Sequence, residues 1–396
     1  MKEKLNIGEF NDSFMPVMDG VGNVVKNYAV ELNKLNHKAY AIVPGYTEFP
    51  TFDKDNGIYY TIRGKEYYPL KSLRPYGITV FPNKTKRIIN EIPFDIVHTH
   101  CPTFSAKLAL QIAKRRDIPI ISTFHTFFKD DLMELLPEKL ANTVVKNGMK
   151  FYYKCDEVWT PSYASKRKIE KDYYFSNPIR VVENGCDMVA PNDDNEFQAL
   201  RNKGYSLCNT SLDTPIFIYV GQHKDEKNIP LILETMKALK SRGNSFKMIF
   251  VGDGHKKESY EKYVLDNNLS SFIQFLGRIT DREKLRELYC ASYLFLFPSL
   301  YDTSCLVMRE AACFELPLVY VDIACTSEGI TDGENGFIIK NDVADFTRKL
   351  EAIIKNPELR NYCGRNAKRD LYRSWKDVSM NVEKLYYEII ERKKSK

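Results

Sequence analysis

Twice along the chain, apolar runs of strand length alternate with segments patterned for helices, and this alternation limits the fold more than any other feature. In the first series the runs are Leu5 to Phe10, Lys38 to Val43, Phe94 to His98, Ile118 to Thr123, Glu157 to Thr160 and Ile179 to Val182. Helical spacing lies between them. Val24, Val25, Tyr28, Ala29 and Leu32 share one face over Asn23 to Leu35, and Ser105 to Arg116 is a second helix. Another series begins near Pro215, with strands at Ile216 to Val220, Lys247 to Val251 and Phe272 to Leu276. Its last part, Tyr293 to Val321, reads as strand, loop, helix and strand. Pro298 and Ser299 break the first strand, Asp302, Thr303 and Ser304 favour a helix start, and Pro317 ends that helix. Alternation of this kind makes parallel sheets wrapped by helices, so the expected class is α/β with two Rossmann-like, doubly wound domains.

A length of 396 residues exceeds one ordinary core, and the polar, punctuated stretch 190–214 is the expected boundary. No apolar run reaches the ~18 residues that span a bilayer. The N-terminus lacks the apolar stretch of a signal peptide, and nine cysteines without a CxxC pair suit reduced thiols, which together point to the cytoplasm. Net charge is +6: residues 1–190 carry 27 Lys+Arg against 22 Asp+Glu, and residues 191–396 carry 31 against 30. A mildly basic first half fits an anionic lipid or ligand and is too weak to argue for nucleic acid.

Ligands of doubly wound sheets sit beyond the carboxyl ends of the strands, which directs attention to the loops after them. In the first, NDSFMPVMDGVG, Gly20 and Gly22 permit close backbone approach and open a helix whose N-terminus can face an anion. It is not a GxGxxG fingerprint, and no GxxxxGK[ST] loop occurs, so hydride chemistry gains no support. After Phe297 a helix N-terminus is expected between two carboxylates, Asp302 on the loop and Glu310 two turns into the helix, a place that suits a diphosphate. His98, His100 and His125 end neighbouring strands and share one rim. Without HExxH or paired thiols no metal site is expected, and His125 is assigned to hydrogen bonding of phosphate or substrate. Residues 46–82, with Arg74 and Tyr76, interrupt the alternation either to contact an acceptor or as a small β-excursion over the sheet edge. Asp53-x-Asp55 within it reads as a loop acid pair. Lys129 to Lys154 reads as one basic amphipathic helical stretch, either a surface helix or one that lies on an anionic membrane surface.

Taken together, the residues resemble glycosyltransferase family 4, the retaining sugar-nucleotide transferases of the GT-B fold. The pieces are Asp302-x7-Glu310, the Gly20 loop, HTH at 98–100, VENGCD at 182–187, VGQHKDEKN at 220–228, VGDG at 251–254, FLGRI at 275–279 and SEGITDGENGF at 327–337. Within the family, the first loop and the basic stretch look most like bacterial transferases that glucosylate diacylglycerol. The resemblance implies an acceptor-binding domain over 1–190, a nucleotide-sugar-binding domain over 191–372 facing it across a cleft, and a helix over 373–396 returning to the first domain.

Site roles follow from the same resemblance. Glu310 would bind donor ribose hydroxyls, and Asp302 the sugar hydroxyls near the reacting carbon. Lys227 would pair with the diphosphate, enclosed by backbone N–H groups of Thr303, Ser304, Cys305, Leu306 and Gly20. Gln222 and Gly252 would line the donor site, Arg278 and Ile279 would present backbone to the base, and His125 would lie near donor sugar and acceptor. His125, Asp302 and Lys227 are thus the implied catalytic set, with Arg74, Tyr76, His98 and His100 toward the acceptor. The implied activity is transfer of a hexose, glucose from a UDP-sugar, to a lipid or glycan hydroxyl. No cofactor or metal is required besides the nucleotide-sugar donor, and the enzyme would be cytoplasmic, peripheral on the inner face of the plasma membrane. Three departures stand out: Asp302 for the family Glu, Gln222 for an Arg, and Glu315 for a Gly. His223, Lys224 and Arg278 are the residues that would restore the missing charge. A sugar-nucleotide 2-epimerase and a catalytically weak nucleotide-sugar-binding protein are the alternatives.

Overall fold

The computed structural model describes residues 3–17, 19–46, 49–55, 57–68, 77–135, 137–300, 305–322 and 327–395. The chain divides into two compact units, Met1–Gly185 with Ser374–Lys396, and Cys186–Arg373.

In the first unit the order is β1 (Asn6–Phe10), α1 (Gly20–Lys34), β2 (Lys38–Val43), β3 (Phe52–Asp55), β4 (Tyr59–Arg63), β5 (Lys65–Tyr67), β6 (Ile78–Val80), α2 (Asn83–Glu91), β7 (Ile96–Thr99) and α3 (Phe104–Arg116). Then come β8 (Ile120–Thr123), α4 (Phe128–Leu135), α5 (Glu138–Tyr152), β9 (Glu157–Thr160), α6 (Tyr163–Asp172) and β10 (Ile179–Val181). One sheet runs β10-β9-β8-β7-β1-β2-β4-β3, parallel except for the edge strand β3. Its central strands are buried on both faces, which is why they read as unbroken apolar runs.

The stretch 46–82 is in part the β-excursion. β3 and β4 extend the sheet, with Phe52 stacked on Tyr60 and Tyr60 on Tyr40. Asp53 therefore lies on an edge strand and not in a loop. Arg74 and Tyr76 fall outside the described residues. The stretch 129–154 is two helices and not one. Pro137 is the N-cap of α5, with extended backbone, and its ring cannot continue the preceding helix.

The second unit holds α7 (Asp194–Leu207), β11 (Ile216–Val220), α8 (Ile229–Ser241), β12 (Lys247–Val251), α9 (Lys257–Asp266), β13 (Ile273–Gly277), α10 (Arg282–Ala291) and β14 (Leu294–Leu296). It continues with α11 (Leu306–Cys313), β15 (Leu318–Val321), β16 (Phe337–Ile339), α12 (Val343–Ile354) and α13 (Pro357–Leu371). Its sheet, β13-β12-β11-β14-β15-β16, is parallel throughout. The closing helix α14 (Trp375–Lys394) belongs to the first unit.

The polar stretch taken as a boundary contains α7. Its start carries the signal of a helix cap: the Asp193 side chain accepts from Glu196 N–H at 2.8 Å, and Glu196 reaches back to Asn192 N–H at 2.8 Å. Gly204 lets this helix press on α10, since a Cβ there would lie 2.1 Å from the Glu287 carbonyl oxygen.

Candidate active site

In the second unit, four neighbouring strands end along one rim. Gly221 donates its N–H to Val251 O at 3.0 Å, and Gly252 donates to Gly277 O at 2.8 Å. Gly252 is required here: its φ is +132°, and a Cβ would lie 1.9 Å from Gly221 O. Arg278 is exposed and Ile279 half-buried just beyond β13.

A 3₁₀ turn, Asp225–Lys227, connects β11 to α8. The loop after β14 hooks onto it, with Leu300 N–H donating to Glu226 O at 3.0 Å and Ser299 Oγ at 3.3 Å from the same oxygen. The turn that carries Lys227 and the start of the loop after β14 are thereby joined at adjacent strand ends. α11 begins at Leu306 with Cys305 as its N-cap, later than expected, so Glu310 stands little more than one turn into it. Asp302, Thr303 and Ser304 lie outside the described residues.

Glu310 is buried, and both its oxygens have partners. Oε1 accepts from Arg282 Nη2 at 3.0 Å, and Oε2 accepts from the buried Tyr289 hydroxyl at 2.8 Å. Arg282 also bonds Asp187, so a guanidinium joins two carboxylates. A carboxylate has about four lone-pair sites, and these two bonds fix its orientation without exhausting them.

Of the residues named to replace the charge lost at Gln222, His223 is unsuited. It is fully buried among Tyr219, Phe250, Tyr260 and Phe275, neither ring nitrogen has a hydrogen-bond partner among the described residues, and burial lowers its pKa. The ring is neutral and fills core space. Lys224 stands 3.9 Å from Glu226. Gln222 itself is exposed.

The first unit contains a second polar group. Glu9 on β1 is fully buried beside His98 of β7 and His100, the residue after that strand. His100 Nε2 lies 2.8 Å from Glu9 Oε2, and His100 Nδ1 lies 3.0 Å from His125 Nε2. The Tyr386 hydroxyl of α14 donates to Glu9 Oε1 at 3.0 Å and lies 2.7 Å from His98 Nδ1; His98 Nε2 lies 2.7 Å from Thr123 Oγ1. His98 and His100, expected to contact an acceptor, are therefore interior residues whose four ring nitrogens are all engaged. His125 sits at the outer end of the chain, 8% exposed. Burial pushes the Glu9 carboxyl up to about 8, against the Tyr386 hydrogen bond, and pulls His100 down to about 3, with His98 and His125 well below the usual imidazole value. Glu9, His98 and His100 bring ligand-type atoms within 4.8 Å of one another. Each such atom already has a protein hydrogen-bond partner, which describes a self-satisfied network.

Glu9 and Tyr386 were not anticipated from sequence. A lone acid within the apolar run LNIGEF was the available signal for the first. At the α1 N-terminus, Asp19 caps Gly22 N–H at 2.6 Å, and a Cβ on Gly20 would meet no atom within 4 Å.

Two parallel-sheet α/β units with their glycine-lined strand ends define a GT-B protein of Rossmann-like halves, and the comparisons agree. Residues 18–189 match the model of Glycosyltransferase Family 4, and residues 209–370 match Glycosyl transferases group 1. The two matches fall on the two units in turn, and the chain is a glycosyltransferase of GT-B fold. It is 27% identical to alpha-monoglucosyldiacylglycerol synthase of Acholeplasma laidlawii, over 99% of each chain. It is 23% identical to the synthase of the same name from Streptococcus pneumoniae, over 90% of this chain and 80% of that one. Among solved structures, Anabaena HepE in complex with UDP-glucose superposes with a TM-score of 0.74 at 14% identity, covering 96% of this chain and 99% of that one.

Proposed function

We propose that the enzyme transfers glucose from UDP-glucose, with retention of configuration, to a lipid hydroxyl, that of diacylglycerol or a glycosylated diacylglycerol. The observation that supports the donor part is the hook of Ser299 and Leu300 on the carbonyl of Glu226, the residue before Lys227 in the β11–α8 turn. A cation and oriented N–H groups stabilise a departing diphosphate without reorganising, so no metal is needed in this reading. Glu310, oriented by Arg282 and Tyr289, takes the ribose hydroxyls, Asp302 the sugar, and His125 an oxygen of donor or acceptor. In the front-face form of the reaction the leaving phosphate accepts the acceptor proton, and the protein orients and excludes water.

The acceptor part rests on the two synthases and on the surface of α5. Leu140 and Val144 are exposed there among Lys139, Lys146 and Lys150, a composition that suits an anionic bilayer surface. Among the described residues no helix is long and apolar enough to cross a membrane. The test is radiolabelled UDP-glucose with diacylglycerol or monoglucosyldiacylglycerol in anionic mixed micelles. Labelled α-linked glycolipid is expected. Free sugar or an epimerised product without acceptor would favour the epimerase, and nucleotide binding without any turnover the weak binding protein.

A further inference from the structure

We propose that Glu9 and His100 form a buried proton relay that sets the tautomer of His125, so that one proton at Glu9 decides whether His125 Nδ1 donates or accepts. The geometry allows two complete arrangements of the same atoms. With Glu9 neutral, its Oε2–H donates to His100 Nε2, His100 Nδ1–H donates to His125 Nε2, and His125 keeps its proton on Nδ1. With Glu9 ionised, His100 Nε2–H donates to Oε2, His125 Nε2–H donates to His100 Nδ1, and His125 Nδ1 carries a lone pair. The first arrangement becomes the second by loss of the Nδ1 proton and two outward shifts: the His100 proton moves to His125, and the Glu9 proton moves to His100. No heavy-atom contact breaks, and the negative charge ends on Glu9. A proton taken up at His125 is thus neutralised at Glu9, and no buried imidazolium forms.

The surroundings favour this reading. Tyr386 donates to Oε1 in both states, with its oxygen accepting from His98 Nδ1–H and the Thr123 hydroxyl donating to His98 Nε2. Among the described residues, the titratable groups facing Glu9 are His98 of β7, His100 just after it, His125 after β8, Tyr28 of α1 and Tyr386 of α14, while β2 sets Ala41 alongside. Its ion-pair partners among the described residues are the histidines His98 and His100. Glu9, held near 8 by burial, therefore titrates close to neutrality. Glu9 acts through His100 and is a positioning residue.

The test is nitrogen-15 NMR of the full-length enzyme labelled at its six histidines, from pH 6 to 9.5, with His125→Asn assigning the signal. Wild type is expected to pass from the Nδ1–H to the Nε2–H form of His125 near pH 8, and Glu9→Gln to hold one form throughout. A single form across the range in wild type overturns the relay even if Glu9→Gln does not fold. So does a transition that persists unchanged in Glu9→Gln. Where transfer is measured, kcat/KM should lose its inflection near pH 8 in the same variant. Only that arm rests on the proposed function: absent turnover with UDP-glucose and lipid would sink the activity and leave the substrate-free NMR result standing.

Discussion

The Tyr386 hydroxyl donates to Glu9 Oε1 at 3.0 Å, a bond between residues 377 positions apart. It makes α14 part of the interior of the first unit, where Tyr386 stacks on Trp159. The bond also lets a carboxyl stand among three histidines with its oxygens satisfied, where an unpartnered acid would be costly.

That cluster gives the first unit a pH-dependent stability with a definite sign. Glu9 is raised from 4.5 to about 8, so its contribution is complete below about 4.5 and is lost as pH rises through 8. His98, His100 and His125 are lowered, so theirs is present above the ordinary value of 6.5 and lost as pH falls. Stability should peak near pH 6.5, with limbs of about 1.4 kcal/mol per pH unit per proton. Both tryptophans, Trp159 and Trp375, are buried in this unit, so their fluorescence during urea unfolding reports it selectively. Glu9→Gln should flatten the limb above pH 6.5 and spare the acid limb. A flat wild-type profile between pH 6.5 and 8 would rule out the raised carboxyl.

Lys227→Ala is expected to lower kcat/KM for transfer by at least ~10²-fold, the scale of one preorganised charge contact. Glu310→Ala should do the same. Because that change also leaves Arg282 and Tyr289 without the acceptor they share, Glu310→Gln is the cleaner comparison. Wild-type turnover in purified, folded Lys227→Ala would remove the diphosphate assignment.

Gln222→Arg is expected to raise kcat/KM by about 10-fold. His223 is buried and neutral, so this turn offers the diphosphate fewer cations than the family pattern does. Hydrogen bonds to charged groups contribute about 1.5–3 kcal/mol, enough for such a gain even when partly offset by desolvation. Steady-state kinetics at saturating acceptor measures it, and an unchanged or lower value means the added guanidinium does not reach the phosphates.

Sequence made the two sheets legible because parallel strands buried on both faces leave continuous apolar runs, as at Ile216 to Val220. Composition hid α7: its polar start looked like a linker, although the pair Asp193 and Glu196 marks a helix cap. At the site, neighbouring strands end together, and the turn Asp225–Lys227 meets the start of the loop after β14 at the Glu226 carbonyl. Spacing could not reveal the Glu9 network. Its members come from β1, β7, the end of β8 and α14, and only the folded chain brings them within hydrogen-bond distance. The histidines at 98 and 100 looked like rim residues for the same reason: a strand end does not announce which side chains point inward.

The end of α11 offers a test free of assumptions about substrate. Glu315 has φ +55°, its N–H donates to Ala312 O at 3.0 Å, and Leu316 N–H donates to Ala311 O at 3.1 Å. This is the bond pattern of a Schellman helix ending, which places a left-handed residue where glycine is favoured. A side chain there costs roughly 1–2 kcal/mol, against roughly 0.5–1 kcal/mol of extra chain entropy that glycine loses on folding. The half-exposed ion pair with Lys368 at 3.0 Å, open to solvent screening, returns little. Glu315→Gly should therefore stabilise the second unit by about 0.5–1 kcal/mol, while Glu315→Ala, which keeps the strain and loses the ion pair, should not. Urea unfolding followed by circular dichroism compares them. Equal stability of the glycine and alanine variants would mean that α13, packed so closely that a Cβ on Gly364 would lie 2.1 Å from the Glu315 carbonyl oxygen, sets this turn irrespective of the residue in it.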